Sequence, residues 1–457
     1  MTIPPVVRVF ATTQSSDYDC PWQALAPENS SGSGVVVGDN LVLTGAHVVA
    51  DATFLQVQKM SSPEKTIAHV TRICHDCDLA LLKIDEDHFT DDIEPASLGD
   101  FPSRSDKVTV IGFPVGGEEV SITEGVVSRI EVQNYDHSQR DLLAVTVDAA
   151  INSGNSGGPV FKDGALVGIA FQKLSGDVDN IGEMVPVHLI HRFIEDDSKV
   201  KDVQVPGLGI QTQTLESPLL RKHVLMPEGA SGVFVRTVQY GSSADGVLNV
   251  GDALLSLDGY PIANNGTIQY LDRFRTKYDA ILGDHGVGDR IAVEFLRAGQ
   301  RQNAEMTLVP DVNLVPRSRY DRRPSYFIFG GLVFQPLTRD FLSTWEDWDE
   351  RAPANLLSLY ESGARTAKQQ EVVLLSRILA DETTVGFESR GCEIVRSVNQ
   401  APIAHLEDLV RHLRQAKGIV ELATSKGLIV VDTEHVDQAQ ERILERYHIP
   451  SVSSADL

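Results

Sequence analysis

The chain of 457 residues is 42% hydrophobic and 23% charged, the balance of a water-soluble globular protein with material for about three domains. A net charge of −24 argues against nucleic acid and anionic membrane as main partners, because both reward clustered Lys and Arg. No apolar run approaches the ~20 residues that cross a bilayer, and residues 1–14 lack the basic start and apolar centre of a secretory leader, so no membrane insertion is expected. The expected compartment is cytoplasmic, with the nucleus or an organelle interior open to a eukaryotic chain.

Residues 6–173 alternate short β-branched runs with Gly, Asp and Asn turns and show little helical periodicity, which predicts an antiparallel barrel or sandwich. Val35-Val36-Val37, the turn Gly38-Asp39-Asn40 and Leu41-Val42-Leu43-Thr44 read as one hairpin, and His47 follows it within Thr44-Gly45-Ala46-His47-Val48-Val49. Cys74-His75-Asp76-Cys77 spaces two thiols as a metal or redox site does. With only four cysteines and no second CxxC or paired-His motif, the expectation is buried, reduced thiols and no metal. Asp78 then opens the apolar strand Leu79-Ala80-Leu81-Leu82, which predicts a buried carboxylate, and a buried carboxylate needs a partner.

After a strand over 145–148 comes Asn152-Ser153-Gly154-Asn155-Ser156-Gly157-Gly158-Pro159. Glycines after and two places before Ser156 let backbone amides crowd round one hydroxyl. Acyl transfer builds negative charge on a carbonyl oxygen, and N–H groups fixed in advance are the usual means of stabilising it. Gly154 and Ser156 are the candidate donors, with Asn155 between them. A serine hydroxyl is a poor nucleophile until a base takes its proton and a carboxylate orients that base. His47, Asp78 and Ser156 supply the three groups in the chain order of chymotrypsin-type double barrels.

These blocks, Thr44-Gly45-Ala46-His47-Val48-Val49, Asp78-Leu79-Ala80-Leu81-Leu82 and Gly154-Asn155-Ser156-Gly157-Gly158-Pro159, resemble the catalytic blocks of the Deg/HtrA serine proteases. Ile111-Gly112-Phe113-Pro114, Gly125-Val126-Val127-Ser128 and Asn180-Ile181-Gly182 extend the resemblance over strands and activation loops, and the whole chain is most similar to plant-type members with two PDZ domains. The resemblance implies His47 as general base, Asp78 as its orienting partner and Ser156 as nucleophile. It also implies loops over 113–124 and 172–182 that switch within a homo-oligomer built from trimers. Gly45 stands where an Asn is common and Ser153 where a Pro is common, which leaves the oxyanion loop less stiff but removes no catalytic group.

The apolar pattern stops at Glu195-Asp196-Asp197-Ser198-Lys199, a linker. Residues 207–309 read as an α+β module with strands over 231–238, 251–259, 291–297 and 306–309. Phe274, Tyr278, Ile281 and Leu282 stand at helical spacing, which predicts an inward-packed helix. The run ending Asp258-Gly259-Tyr260-Pro261-Ile262 is similar to bacterial-type PDZ domains, and that similarity makes Leu208, Gly209 and Ile210 the loop for a peptide's terminal carboxylate. The alternative is a PDZ that contacts only the protease.

Arg317, Arg319, Arg322 and Arg323 mark a basic, Pro-containing linker, after which Tyr326-Phe327-Ile328-Phe329-Gly330-Gly331 looks like the opening of a second PDZ. Leu406, Leu409, Val410 and Leu413 form a helical stripe closed by Gly418. A strand from Leu428 leads to a helix starting near Asp432 or Thr433 with Val436, Ile443, Leu444 and Tyr447 on one face. Trp345 and Trp348, near Phe341 and Leu342, suggest an apolar surface open to assembly.

The expected fold is mainly β: a trypsin-like double β-barrel protease over 1–198, a first α+β PDZ domain over 204–310, and a second PDZ-like domain over 326–457 with a C-terminal strand and helix. The expected function is that of an ATP-independent serine endopeptidase acting on unfolded or damaged proteins. No cofactor is implied, and C-terminal peptides are candidate ligands of the first PDZ. The competing reading is a chaperone or scaffold that binds protein while its protease site is idle or resting.

Overall fold

In the computed structural model, residues 4–114, 119–149, 154–173, 181–195 and 200–457 are described. The β-branched runs of the N-terminal region form two six-stranded closed barrels. The first contains β1 (Val6–Thr13), β2 (Glu28–Gly38), β3 (Leu41–Thr44), β4 (Ala52–Lys59), β5 (Lys65–Cys74) and β6 (Leu79–Ile84), in the order β1-β2-β3-β6-β5-β4. The second contains β7 (Lys107–Gly112), β8 (Ser121–Asn134), β9 (Asp141–Val147), β10 (Pro159–Lys162), β11 (Ala165–Lys173) and β12 (Gly182–Pro186), ordered β10-β11-β12-β9-β8-β7. Closure leaves no open strand edge. Small aliphatic side chains fill the first interior, with Val9, Val36, Val42, Val57 and Leu82 fully buried, which is how a barrel this narrow is packed.

The chain divides into two compact units. One holds the described parts of 1–14, 27–237 and 242–311; the other holds Ser15–Ala26, Val238–Gly241 and Val312–Leu457. Within the first unit, the chain leaving the second barrel is fastened to the turn between β5 and β6. Asp76 accepts a hydrogen bond from the Val205 amide (2.8 Å) and pairs with Arg140 (3.2 Å). Arg140, almost fully buried, also donates to the carbonyls of Val205 and Pro206. A buried guanidinium is tolerable only with such a full set of acceptors. Beyond it lies a sheet ordered Ile210–Thr214, Val233–Val238, Ala253–Leu257, Arg290–Arg297 and Gln300–Thr307.

The helix expected from Phe274, Tyr278, Ile281 and Leu282 is not formed. Thr267–Tyr270 and Phe274–Lys277 make a hairpin through Leu271 and Asp272, both at positive φ, and a 3-10 helix Tyr278–Asp284 follows. Phe274 and Thr276 are buried while Arg275 and Lys277 are exposed, a period of two that an i, i+4 pair of aromatics conceals. Thr276 Oγ1 accepts from the Val132 amide of β8 at 2.7 Å, which holds the strand extended.

The second unit has a sheet ordered Phe327–Phe329, Leu332–Pro336, Val373–Ile378, Glu393–Val398, Ile419–Thr424 and Gly427–Asp432. The helix Leu406–Gln415 buries its predicted stripe against this sheet. It ends at Ala416, so Gly418, at φ 72°, serves the turn into the next strand rather than the cap. Asp432 caps a 3-10 turn that runs into the helix Val436–Arg446, whose Val436 and Ile443 are buried. Phe341 and Leu342 are core residues rather than an assembly surface; Trp345 packs edge-on against Phe341 and Trp348 against Tyr360. Ser15–Ala26 joins this unit through the Asp19–Arg377 ion pair (2.6 Å) and the edge contact of Trp22 with Tyr326.

Candidate active site

Strand register brings the first two candidate residues together. Thr44 at the end of β3 pairs with Ala80 near the start of β6, so the segments just past these ends are neighbours. The chain leaving β3 makes one helical turn, Ala46–Val49, whose Ala46, Val48 and Val49 enter the barrel core and leave His47 on the other side. Asp78, held at φ 56° in the left-handed region that Asp tolerates, precedes β6 there. Its two oxygens are divided between the ring and the backbone of one residue: Oδ2 lies 2.7 Å from His47 Nδ1 and Oδ1 accepts from the His47 amide at 2.8 Å. This fixes both the orientation of the ring and the proton on Nδ1.

Asp78 is 1% exposed. Burial pushes its carboxyl up, but the charge and hydrogen bond of His47, then the charge of His137, hold it below the ordinary range. Burial likewise pulls His47 down, yet the charge of Asp78 and the bond to it carry the imidazole above its ordinary 6.5. The His47 ring keeps 27% exposure, while Nε2 itself is buried and has no hydrogen-bond partner among the described residues. The Ser156 hydroxyl is therefore not bonded to it in this arrangement.

Ser156 is held by its backbone. Its carbonyl accepts from the Ser33 amide (2.9 Å), and next to it the Gly157 amide donates to Ala170 and the Gly158 amide to Asn155. Gly157 adopts φ +79°, and a Cβ there would lie 2.4 Å from both Ser33 O and Thr44 Oγ1, so only glycine fits. Gly157 Cα also lies 3.7 Å from where a Gly45 Cβ would stand, which puts the serine loop against the turn that carries His47. Gly154 has φ 99°, and among the described residues no acceptor takes up the amide of Gly154 or Ser156. Asn155 is buried, with Oδ1 3.0 Å from where a Gly112 Cβ would stand. Asn152 and Ser153 lie outside the described residues, as do 115–118 and 174–180 of the two expected activation loops.

Amides without an acceptor among the described residues, on a serine loop that lies against the turn carrying an imidazole oriented by a carboxylate, are the groups that acyl transfer requires. Two contributors escaped the sequence reading. Ser33 bonds to the serine loop from β2, and its only signal was a polar residue between two glycines inside a strand, a mark of close backbone approach. His137 lies against His75, with Nε2 3.0 Å from His75 Nδ1, and nothing in its local sequence marked it. Cys74 and Cys77 are buried free thiols.

At the start of the sheet beyond the barrels, Leu208 is buried with its carbonyl taken by the Ala244 amide, Gly209 is at φ 68°, and Ile210 opens an edge strand. Thr212 on that strand shares a hydrogen bond (3.1 Å) with the hydroxyl of Tyr278.

The trypsin-like peptidase domain family matches residues 32–169, and the PDZ domain family matches 315–456. Protease Do-like 2, chloroplastic, of Arabidopsis thaliana is 36% identical over 457 residues, spanning 99% of this chain and 75% of that protein. Putative protease Do-like 3, mitochondrial, of the same organism is 34% identical over 457 residues, spanning 99% and 80%. Among solved structures, HtrA-type protease AlgW with a tripeptide is 26% identical with a TM-score of 0.52, covering 68% of this chain and 95% of that one.

Proposed function

Because the chain belongs to the Deg/HtrA family of Do-like serine proteases, we propose that its peptide hydrolysis is carried out by His47, Asp78 and Ser156. The observation that carries the reading is the division of buried Asp78 between the ring and the amide of His47, at 2.7 and 2.8 Å. This leaves Nε2 as the basic nitrogen. Ser156 Oγ attacks the scissile carbonyl carbon as its proton passes to Nε2, and the amides of Gly154 and Ser156 receive the oxyanion. His47 then returns the proton to the leaving amine, and the C–N bond breaks to leave an ester on Ser156. Water, deprotonated by the same nitrogen, hydrolyses that ester.

The substrates proposed are unfolded or damaged chains, cut after small to medium aliphatic residues without ATP. The first PDZ-type module takes C-terminal peptides at Leu208, Gly209 and Ile210, consistent with the edge strand that Ile210 opens. The domain limits proposed are 1–198, 204–310 and 326–457, and the assembly is a homo-oligomer of trimers. No helix among the described residues is long and apolar enough to cross a membrane. Since relatives carry chloroplastic and mitochondrial designations, an organelle interior is the compartment to test first.

One observation favours a second reading, a chaperone-like binding protein with an idle site: Nε2 of His47 has no partner among the described residues. Catalytic hydrogen bonds are often unmade until substrate binds, so the same observation suits a resting protease. Hydrolysis of unfolded casein by the wild type and by Ser156→Ala separates the two. The protease reading requires cleavage by the first and none by the second. Suppression of aggregation by both, with cleavage by neither at any concentration or in the presence of activating peptides, would support the binding protein.

A further inference from the structure

The loop Gly154-Asn155-Ser156-Gly157-Gly158 is mostly glycine and has few side chains with which to hold its own shape, so most of its peptide planes must be fixed from outside. Three successive carbonyls around Ser156 are fixed. That of Asn155 accepts from the Gly158 amide within the loop. The other two are taken by a single residue of the first barrel: Ser33 Oγ donates to the Gly154 carbonyl at 2.7 Å, and the Ser33 amide donates to the Ser156 carbonyl at 2.9 Å. We infer that Ser33 is a positioning residue for the oxyanion amides, an inference that rests on the reading of Ser156 as nucleophile.

The direction of the Ser33 hydroxyl is set from its other side. A serine hydroxyl has one proton and two lone pairs. The Phe113 amide donates to Ser33 Oγ at 2.8 Å, which occupies a lone pair and leaves the proton for Gly154. Ser33 is fully buried, and its own carbonyl accepts from Thr44 Oγ1 at 2.7 Å, three residues before His47. All four polar groups meeting at Ser33 are satisfied in one geometry, and a satisfied buried network of this kind specifies position sharply. Ser33 thereby ties the end of β7, where one expected activation loop begins, to the loop bearing Ser156 and to the strand that leads to His47. Rotation of the Gly154–Asn155 peptide plane would break the bond to Ser33 and turn the amides beside it out of line with a developing oxyanion.

The test is Ser33→Ala, compared with wild type and Ser156→Ala, on a chromogenic peptide and a peptide aldehyde, with folding followed by circular dichroism. Losing one oxyanion donor costs about 10²- to 10³-fold in kcat, so loosening the donors is expected to lower kcat about ten- to hundredfold while KM changes less than about threefold. The aldehyde, which places a tetrahedral oxyanion in the same site, weakens in step with kcat. The affinity of the same peptide in uncleavable form, measured in the Ser156→Ala background with and without Ser33→Ala, is unchanged. A merely structural residue would not divide the two affinities. A folded Ser33→Ala with kcat within threefold of wild type, or with unchanged aldehyde affinity, overturns the inference. If Ser33→Ala does not fold, Ser33→Cys, somewhat larger but still a weak donor, decides by the same two affinities. Cleavage by Ser156→Ala would instead sink the underlying assignment of the nucleophile, independently of Ser33.

Discussion

Asp78→Asn removes a charge while keeping the shape of the side chain. Asp78 uses both oxygens on His47, one on Nδ1 and one on the backbone amide, and both partners are donors. An amide has one oxygen. If that oxygen keeps the His47 amide, the NH2 group faces Nδ1, which must then become an acceptor; the proton moves to Nε2, and Nε2 can no longer take one from Ser156. If the side chain is turned round, two N–H groups oppose each other at a site 1% exposed, which costs about 1–3 kcal/mol for the group left unpaired. The first arrangement leaves no donor unpaired but loses the neutral base in the required tautomer; the second keeps that tautomer only at this cost, so the first should dominate. The expected drop in kcat is about 10⁴-fold, or about 5.4 kcal/mol at ~1.36 kcal/mol per tenfold, with KM little changed. Initial-rate kinetics on a peptide substrate at pH 7.5 measures it, with thermal unfolding to verify the fold. A folded Asp78→Asn within tenfold of wild type would refute the role given to the carboxylate.

Three further outcomes follow from the same geometry. His47 must be neutral to accept a proton and its pKa is raised above 6.5, so the acid limb of kcat/KM should fall above pH 6.5; a limb at or below that value contradicts the coupling to Asp78. Linkage has the matching sign: the raised pKa contributes stability that is complete below the unfolded value and lost as pH rises from 6.5 through the folded pKa, so thermal scans of wild type and His47→Gln should differ more at pH 6 than at pH 9. Gly157→Ala puts a Cβ 2.4 Å from Ser33 O and Thr44 Oγ1 at φ +79°. Backbone strain of about 1–3 kcal/mol, with the added clash, should lower the melting temperature and abolish measurable turnover; an active, equally stable variant would show that the loop has another shape in solution.

The barrels and the candidate site were legible because their signals are local. Alternating Val and Leu runs set strands, and glycines at 154, 157 and 158 with Asp78 before an apolar run marked where backbone and charge would be used. What was not legible depends on distant partners. Ser15–Ala26 packs with the second unit through Asp19 and Trp22, and no local pattern says where such a segment will lie. Phe274 and Tyr278 suit a helix by spacing, but the hairpin with Thr267–Tyr270 and the bond from Val132 to Thr276 make the first of them part of a strand. Phe341 and Leu342 looked like surface because the core they enter is completed by Leu314, Val315, Val372 and Leu374 from other segments, with Trp345 and Trp348 partly buried against it. Ser33 was hidden in the same way: every group it satisfies except Thr44 lies more than seventy residues away in sequence.

Labelling with a serine-directed fluorophosphonate, followed by mass-spectrometric mapping of the adduct, tests the central claim most directly. One adduct on the peptide containing Ser156, absent in Ser156→Ala and formed in parallel with the loss of casein hydrolysis, is the result predicted. Casein hydrolysis that persists when Ser156 is fully modified, or loss of hydrolysis with the adduct on another residue, would contradict it.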